Sequence, residues 1–336
     1  MELTNTSPLL RRMWHAVAFS DDVGDVPLQV WVGDEPWVLA RLGGGLAAFV
    51  DRCPHRLAPL SAGRVIGAGD GARLACGYHG WQYAPDGRCT LIPSLGRDGP
   101  ISKRAVLRAP AGLAEAYGLV WLAPDEPLSA LPAFPEWDNP SCTTARSAVV
   151  RTKAAASLVV DNFLDAAHFP FVHAASFGVP DDGLAPGEVT LDGNIVTGTF
   201  TSAYRDGGEV LAHEVRKTVS VALSVHLHLR IGERTNIGIL LACVPERAGT
   251  TRIVKLLARD DLHDDAGAVA RFVKEEDAIL AEDLTILERY TRSGVPLDCG
   301  IEVHTRADRL SLAWRRLVAE ASAEPTGTSS ASATPW

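Results

Sequence analysis

Two short segments constrain this chain more than anything else in it: "CPH", carrying Cys53 and His55, and "CGYHG", carrying Cys76 and His79. Each delivers one thiol and one imidazole from a single tight stretch, and the twenty residues 56–75 separate them. Glycines and prolines crowd both ("CPHRLAPLSAG", "CGYHGWQYAPDG"), so the chain there reads as two turns meeting at the tip of a β structure. The flanking pattern agrees. Residues 26–50, "VPLQVWVGDEPWVLARLGGGLAAFV", alternate apolar and polar side chains between Gly- and Asp-rich turns, and "AYGLVWLAP" at 116–124 reads as a further strand.

Paired Cys-x-His and Cys-x-x-His units close a four-ligand site. Zinc accepts this ligand set in tetrahedral geometry. The sharper reading is a Rieske [2Fe–2S] cluster, in which two thiolates hold one iron and two imidazoles the other, raising the potential to roughly −150 to +300 mV. Cys89, Cys142, Cys243 and Cys299 have no histidine beside them and read as small packed residues; six cysteines over 336 residues do not make a disulfide framework.

At 46% hydrophobic content the chain can bury a substantial core. The net charge of −9 argues against a nucleic-acid surface, leaving a small molecule or another protein as partner. With no charge-free apolar run of about 18 residues and no signal-like start, neither a membrane span nor secretion is expected, and the expected location is the cytoplasm.

The turn-rich "PDEPLSALPAFPEWDNPSC" at 124–142 has five prolines and no periodicity, and reads as a link, with a domain boundary near Pro140. Beyond it, "GNIVTGTFTSAY", "KTVSVALSVHLHLRI", "TNIGILLACVP" and "TTRIVKLLARD" read as strand-like runs of one large antiparallel sheet. A helix is expected over 268–293 and another over about 305–320; the small, polar segment from Ser322 reads as a disordered tail. The expected fold is α+β: an all-β domain over 1–140, then a sheet flanked by helices over 141–321. No internal repeat is visible.

"NFLDAAHFPFVH" at 162–173 sets Asn162, Asp165, His168 and His173 among apolar residues. In a helix Asp165 and His168 share a face while His173 falls off it, and Pro170 predicts a kink or a stop after Ala167. Two histidines meeting at a bend suggest a metal.

Together these motifs resemble the catalytic α subunits of the Rieske non-heme iron oxygenases. Cys53, His55, Cys76 and His79 match the family's cluster ligands, although "GAGDG" at 67–71 lengthens the spacer. Residues 162–173 match its Asn-x-x-Asp-x-x-His-x-x-x-x-His run at all four positions. The resemblance implies that His168 and His173 ligate a mononuclear Fe(II), that Asp165 bridges to His79 of a neighbouring subunit in a homotrimer, and that Asn162 lies near the iron. A two-histidine site that activates O₂ needs a third, anionic ligand. On the 268–293 helix, Asp283 and Glu276 both have apolar neighbours three and four residues away, so periodicity leaves both open; the resemblance of "EDLTILE" at 282–288 favours Asp283. Glu275, Asp277 and Glu282 read as a solvated acidic face.

"LPAFPEWDNP" and "EVHTRADRLSLAWRR" have the look of the vanillate and dicamba O-demethylase, toluenesulfonate monooxygenase and saxitoxin-pathway hydroxylase group. That implies O₂-dependent hydroxylation or demethylation of a small aromatic or heterocyclic substrate, with NAD(P)H electrons arriving only through a separate flavin/[2Fe–2S] reductase or a ferredoxin. His226 and His228, two apart on one strand, are candidate pocket residues, as are Asn236 and His213. A ring-dihydroxylating dioxygenase shares these ligands. A Rieske electron carrier and a hydrophobic-ligand binding protein are the readings from other classes.

Overall fold

The structure, a computed structural model, describes residues 1–177, 185–206, 209–232, 235–263 and 265–323. Among these, the N-terminal half holds three small antiparallel sheets. They are Gly112–Ala116, Leu119–Ala123 and His15–Phe19; Leu28–Val32, Glu35–Leu42 and Gly45–Val50; and Arg64–Ile66, Arg73–Ala75, Gln82–Tyr83 and Cys89–Leu91. The "GAGDG" insertion forms an exposed turn, Gly69–Gly71, between the first two strands of the last sheet.

The C-terminal half is built on an antiparallel meander. Ala185–Asp192, Ile195–Asp206, Glu209–Val219, Ser224–Ile231, Thr235–Arg247 and Thr250–Arg259 pair in that order, and Thr143–Arg146 and Val150–Thr152 pair with the last. The expected single run over 217–231 is two strands. Ser220 to Leu223 leave the ladder and turn the chain back, which the continuous valine and leucine pattern concealed. Thr235–Arg247 is buried over nearly its whole length because both sheet faces are covered, so its sequence shows a run of apolar residues where a half-exposed strand would alternate.

Strand register assigns each residue a face. Lys217, Leu227, Ile239 and Leu257 lie in one cross-strand row, on the front face, where Phe163 and Phe169 pack. The adjacent row, His226, Leu240 and Leu256, looks to the back, where the N-terminal half supplies Ala16, Phe19, Trp121 and Phe134. Three helices cover the front: α1 (Ala156–Leu164), then, after the short α2 (Phe169–Val172) and α3 (Ala174–Phe177), the long α4 (Ala266–Leu287) and α5 (Arg309–Ala323). α4 begins where Asp265 accepts hydrogen bonds from Gly267 and Ala268 N–H and ends six residues short of the expected 293. α5 starts after a turn at Arg306–Asp308 and runs to Ala323, past the expected tail boundary; residues 324–336 lie outside the described residues.

α1 has no side-chain cap of its own. Asn5, buried near the N-terminus, accepts from Ala156 N–H and donates to Arg247 and Thr250 carbonyls, tying the start of α1 to the meander. Arg315 of α5 pairs with both oxygens of Asp161 on α1 and with Glu302.

Glu136, in the proline-rich link, is the polar pin between the link and the back of the sheet. His226 Nε2 and His228 Nδ1 donate to its two oxygens at 2.9 and 2.8 Å, and Gly238 leaves it room, since a Cβ there would fall 2.8 Å from its carboxyl carbon. Burial opposes its ionisation, but the two imidazole hydrogen bonds prevail and hold it at about 2. A carboxylate depressed in the folded state stabilises above its unfolded value, near 4.5, and that contribution is lost as pH falls toward about 2. Glu136→Gln should therefore lower the urea-unfolding free energy by about 1–3 kcal/mol at pH 7, with the gap to wild type closing between about pH 4.5 and 2.

Candidate metal centres

The two Cys/His loops are copies of one local fold. Cys53 N–H donates to Ala58 O and Leu57 N–H to Cys53 O; Cys76 N–H donates to Trp81 O and Gly80 N–H to Cys76 O. The residue four after each cysteine takes a left-handed conformation, Leu57 at φ 57° and Gly80 at φ 68°. For leucine that costs energy, retained here because two hydrogen bonds and the sheet beneath determine the turn. The loops approach where Gly63 and Gly77 sit, since a Cβ on Gly63 would fall 2.0 Å from the Ala75 carbonyl oxygen and one on Gly77 2.5 Å from that of Ala62.

The ligand set is split by environment. Cys53 and Cys76 are 1% and 2% exposed, whereas His55 and His79 are exposed, their ring centroids 4.5 Å apart. Trp81 stacks on His55 at 4.6 Å, and Tyr83 OH lies 3.1 Å from Cys53 Sγ. Among the described residues this group does not gather three ligand atoms within 4.8 Å of one another, as a single zinc would require. A thiol end and an imidazole end standing apart suit a two-iron cluster, whose electrons would leave through the exposed histidines.

The second centre is a point of convergence. His168 and His173 Nε2 lie 3.2 Å apart, and Asp283 Oδ1 lies 3.3 Å from the first and 3.1 Å from the second. Donors about 2.1 Å from one ion stand about 3.0–3.4 Å apart at right-angled to tetrahedral angles, so the three fit one face of a metal's coordination shell. Each imidazole is held from behind. His168 Nδ1 donates to Asp165 Oδ2 at 3.1 Å, and His173 Nδ1 to Glu282 Oε2 at 2.7 Å, the arrangement that aims Nε2 at a metal. Asn162 Nδ2 donates to Asp283 Oδ1 at 3.3 Å.

The charges agree with that fit. Burial opposes ionisation of Asp283, yet hydrogen bonds from His168 and His173 hold it at about 2; burial lowers His168, but Asp165 and Asp283 raise it overall. The site draws positive charge to its centre, which a metal ion there would supply.

Comparison with known proteins then decides the family. Residues 152–324 match the vanillate O-demethylase oxygenase C-terminal domain, and residues 13–111 the Rieske [2Fe-2S] domain. The chain belongs to the Rieske non-heme iron oxygenases. It is 29% identical to methylxanthine N1-demethylase NdmA of Pseudomonas putida over 93% of this chain and 89% of that protein. It is 33% identical to the vanillate O-demethylase oxygenase subunit of a Pseudomonas species over 58% of this chain and 53% of that one. The structure of NdmB from Pseudomonas putida CBB5 superposes with a TM-score of 0.80 at 25% identity, covering 94% of this chain and 92% of that one. The chain is therefore a Rieske-type oxygenase α subunit, carrying a Rieske [2Fe–2S] cluster and a mononuclear iron, and its likeness to these demethylases favours the monooxygenase or demethylase type over a dioxygenase. No described helix is long and apolar enough to cross a membrane.

The structure departs from the sequence expectations at several residues. α1 stops at Leu164, three residues before Ala167, because Asp165 takes an extended backbone and its Oδ1 accepts from Ala167 N–H. Pro170 does not end the helix: it sits in the first turn of α2, where no N–H is needed. Both Glu276 and Asp283 face the sheet, but Lys255 Nζ reaches the carbonyl and Oε2 of Glu276, leaving Asp283 with the histidines. His226, His228 and Asn236 are not in a front-face pocket. Alternation sends all three to the back, where the histidines bind Glu136 and Asn236 binds Asp260 at 2.7 Å. Of the four pocket candidates only His213, four residues before Lys217 on one strand, shares the front face.

Glu282, read as solvated, is instead the hydrogen-bond partner of His173 and of Ser176 Oγ. No pattern in the sequence marks it, because α2 and α3 come against α4 only in the folded chain. Glu282→Gln should weaken Fe(II) binding by about 10–100-fold, measured by chelator competition, with the cluster's visible spectrum unchanged.

Proposed function

We propose that the oxygenase demethylates or hydroxylates a small, uncharged aromatic or heterocyclic molecule at an Fe(II) held by His168, His173 and Asp283. The electrons come from a cluster on Cys53, His55, Cys76 and His79. The observation that carries this reading is the convergence of the three donors against an apolar wall of Phe169, Phe200, Val215, Leu227, Ile237 and Ile239. Of the cations on that face, Lys255 pairs with Glu276, Arg259 with Asp261, and Lys217 is committed to the Asp165 carbonyl among three aromatic rings, which favours a neutral substrate.

When bound, the iron supplies O₂ activation and the cluster supplies electrons for it. The protein orients and insulates: Asp165 and Glu282 fix the imidazoles, Asn162 holds the Asp283 carboxylate, and the phenylalanines keep water from the reacting face. Asp165 remains 28% exposed, so its carboxylate can meet a second partner, and His79 is exposed. The N-terminal half packs on the back of the sheet, opposite the iron. A relay from His79 of a neighbouring subunit to Asp165 and His168 avoids crossing the sheet, which supports a homotrimer. The boundary between the cluster and iron domains falls near Pro140, and NAD(P)H acts only through a separate reductase or ferredoxin.

The test is a single turnover. Protein reduced without O₂ is mixed with methylated purines, methoxybenzoates, arenesulfonates and neutral arenes, then exposed to O₂ and read by mass. Loss of a methyl group or gain of one oxygen on a neutral compound is expected; gain of two oxygens and two hydrogens would make it a dihydroxylating enzyme, and turnover of the anions alone would refute the neutral pocket. Asp165→Asn should keep the cluster and the Fe(II), each measured by iron content and spectrum, and lose coupled turnover; normal turnover in that variant would remove the bridge.

A further inference from the structure

Lys217 is the charged side chain that this mechanism leaves without a task. It is 1% exposed, on the front face of Glu209–Val219. Arg252, on the back of the sheet, donates to the Ala16 carbonyl, whereas the other buried cations, Lys255 and Arg315, each sit on a carboxylate. Lys217 does not: among the described residues its ammonium has one oxygen partner, the backbone carbonyl of Asp165 at 3.0 Å. Its remaining surroundings are the rings of Phe163, Phe169 and Phe200, whose centroids lie 5.4, 5.0 and 5.1 Å from Nζ. Ring faces are negative and hold a cation at such distances, but they replace its hydration only partly. The residual cost is visible: burial pulls the group down to about 7, against the opposing charges of Asp165 and Asp283.

A core position that needed only volume would be served better by methionine or leucine. What the ammonium adds is a grip on the peptide at which the chain leaves α1. Asp165 N–H is bonded to the carbonyls of Asp161 and Asn162, one carboxylate oxygen to Ala167 N–H and the other to His168 Nδ1. Its carbonyl is the group that neither the helix nor the turn satisfies, and Lys217 takes it.

We propose that Lys217 is a positioning residue for the iron site: by pinning the Asp165 carbonyl it holds residues 164–168 in the turn that aims the Asp165 carboxylate at His168. Stability is given up in exchange for a defined orientation, as is common at functional sites.

Lys217→Met keeps the stem and removes the charge and the donors. The variant should melt at or above the wild-type temperature and retain wild-type cluster absorbance and Fe(II) content. It should show an altered electron paramagnetic resonance spectrum for nitric oxide bound at Fe(II), and about tenfold less product per O₂ consumed. Asp165→Asn should alter that spectrum by itself, and adding Lys217→Met should move it no further, because the lysine acts through Asp165. An unchanged nitrosyl spectrum with unchanged coupling in Lys217→Met would overturn the inference. So would a clearly lower melting temperature, which would make the lysine a determinant of the fold, or a further spectral shift in the double variant. The inference rests on His168, His173 and Asp283 holding iron: wild-type protein that binds no Fe(II) removes both readings, whereas a normal wild type beside an unchanged Lys217→Met removes this one alone.

Discussion

The break between Leu164 and Phe169 is the constraint on which the iron site depends. A continuous helix would carry His168 and His173 onto different faces, and their Nε2 atoms could not meet. The chain leaves the helix at Asp165, and that one residue spends its N–H, its carbonyl and both carboxylate oxygens on fixing how it leaves. Proline at 170 then falls in a first helical turn, where its missing donor costs nothing, and His173 closes that turn with its ring directed back at His168.

A turn this specific needs a rigid support. α1 is tied at its beginning by Asn5 and by Ser157, whose hydroxyl donates to Leu3 O and accepts from Val295 N–H. Near its end, Arg315 holds Asp161. These partners come from the N-terminal strand, the segment after α4, and α5. Opposite, α4 sets Phe272, Leu280, Asp283 and Leu287 in one buried stripe, so the carboxylate that meets the histidines is delivered by the same periodicity that packs the helix.

The two centres divide polarity in opposite ways. In the N-terminal half the thiols are buried and the imidazoles exposed, so a cluster held there would present its imidazole end to the surface. At the second centre both histidine rings turn inward, His173 being 1% exposed, and two part-exposed carboxylates stand behind them, Asp165 behind His168 and Glu282 behind His173. The proposed relay between subunits would join the exposed imidazole end of one chain to the part-exposed Asp165 carboxylate of another.

Much of this was legible in the sequence, because metal ligands on tight loops need only short-range spacing. Cys53, His55, Cys76 and His79 announce themselves through two turns, and Asn162, Asp165, His168 and His173 through one twelve-residue segment. Helix periodicity carried Asp283 and Glu276 equally far and stopped there, since both do face the sheet; Lys255, on a strand twenty-one residues away, decides between them. Strand alternation placed His226 and His228 on one face without saying which. Only the pairing register, together with Glu136 reaching in from the link, turns that face away from the iron. Glu282 and Lys217 were silent for the same reason. Local sequence determines which atoms can bind a metal and which face of an element they share, whereas the neighbours that orient those atoms arrive from distant segments and exist only once the sheet and helices have packed.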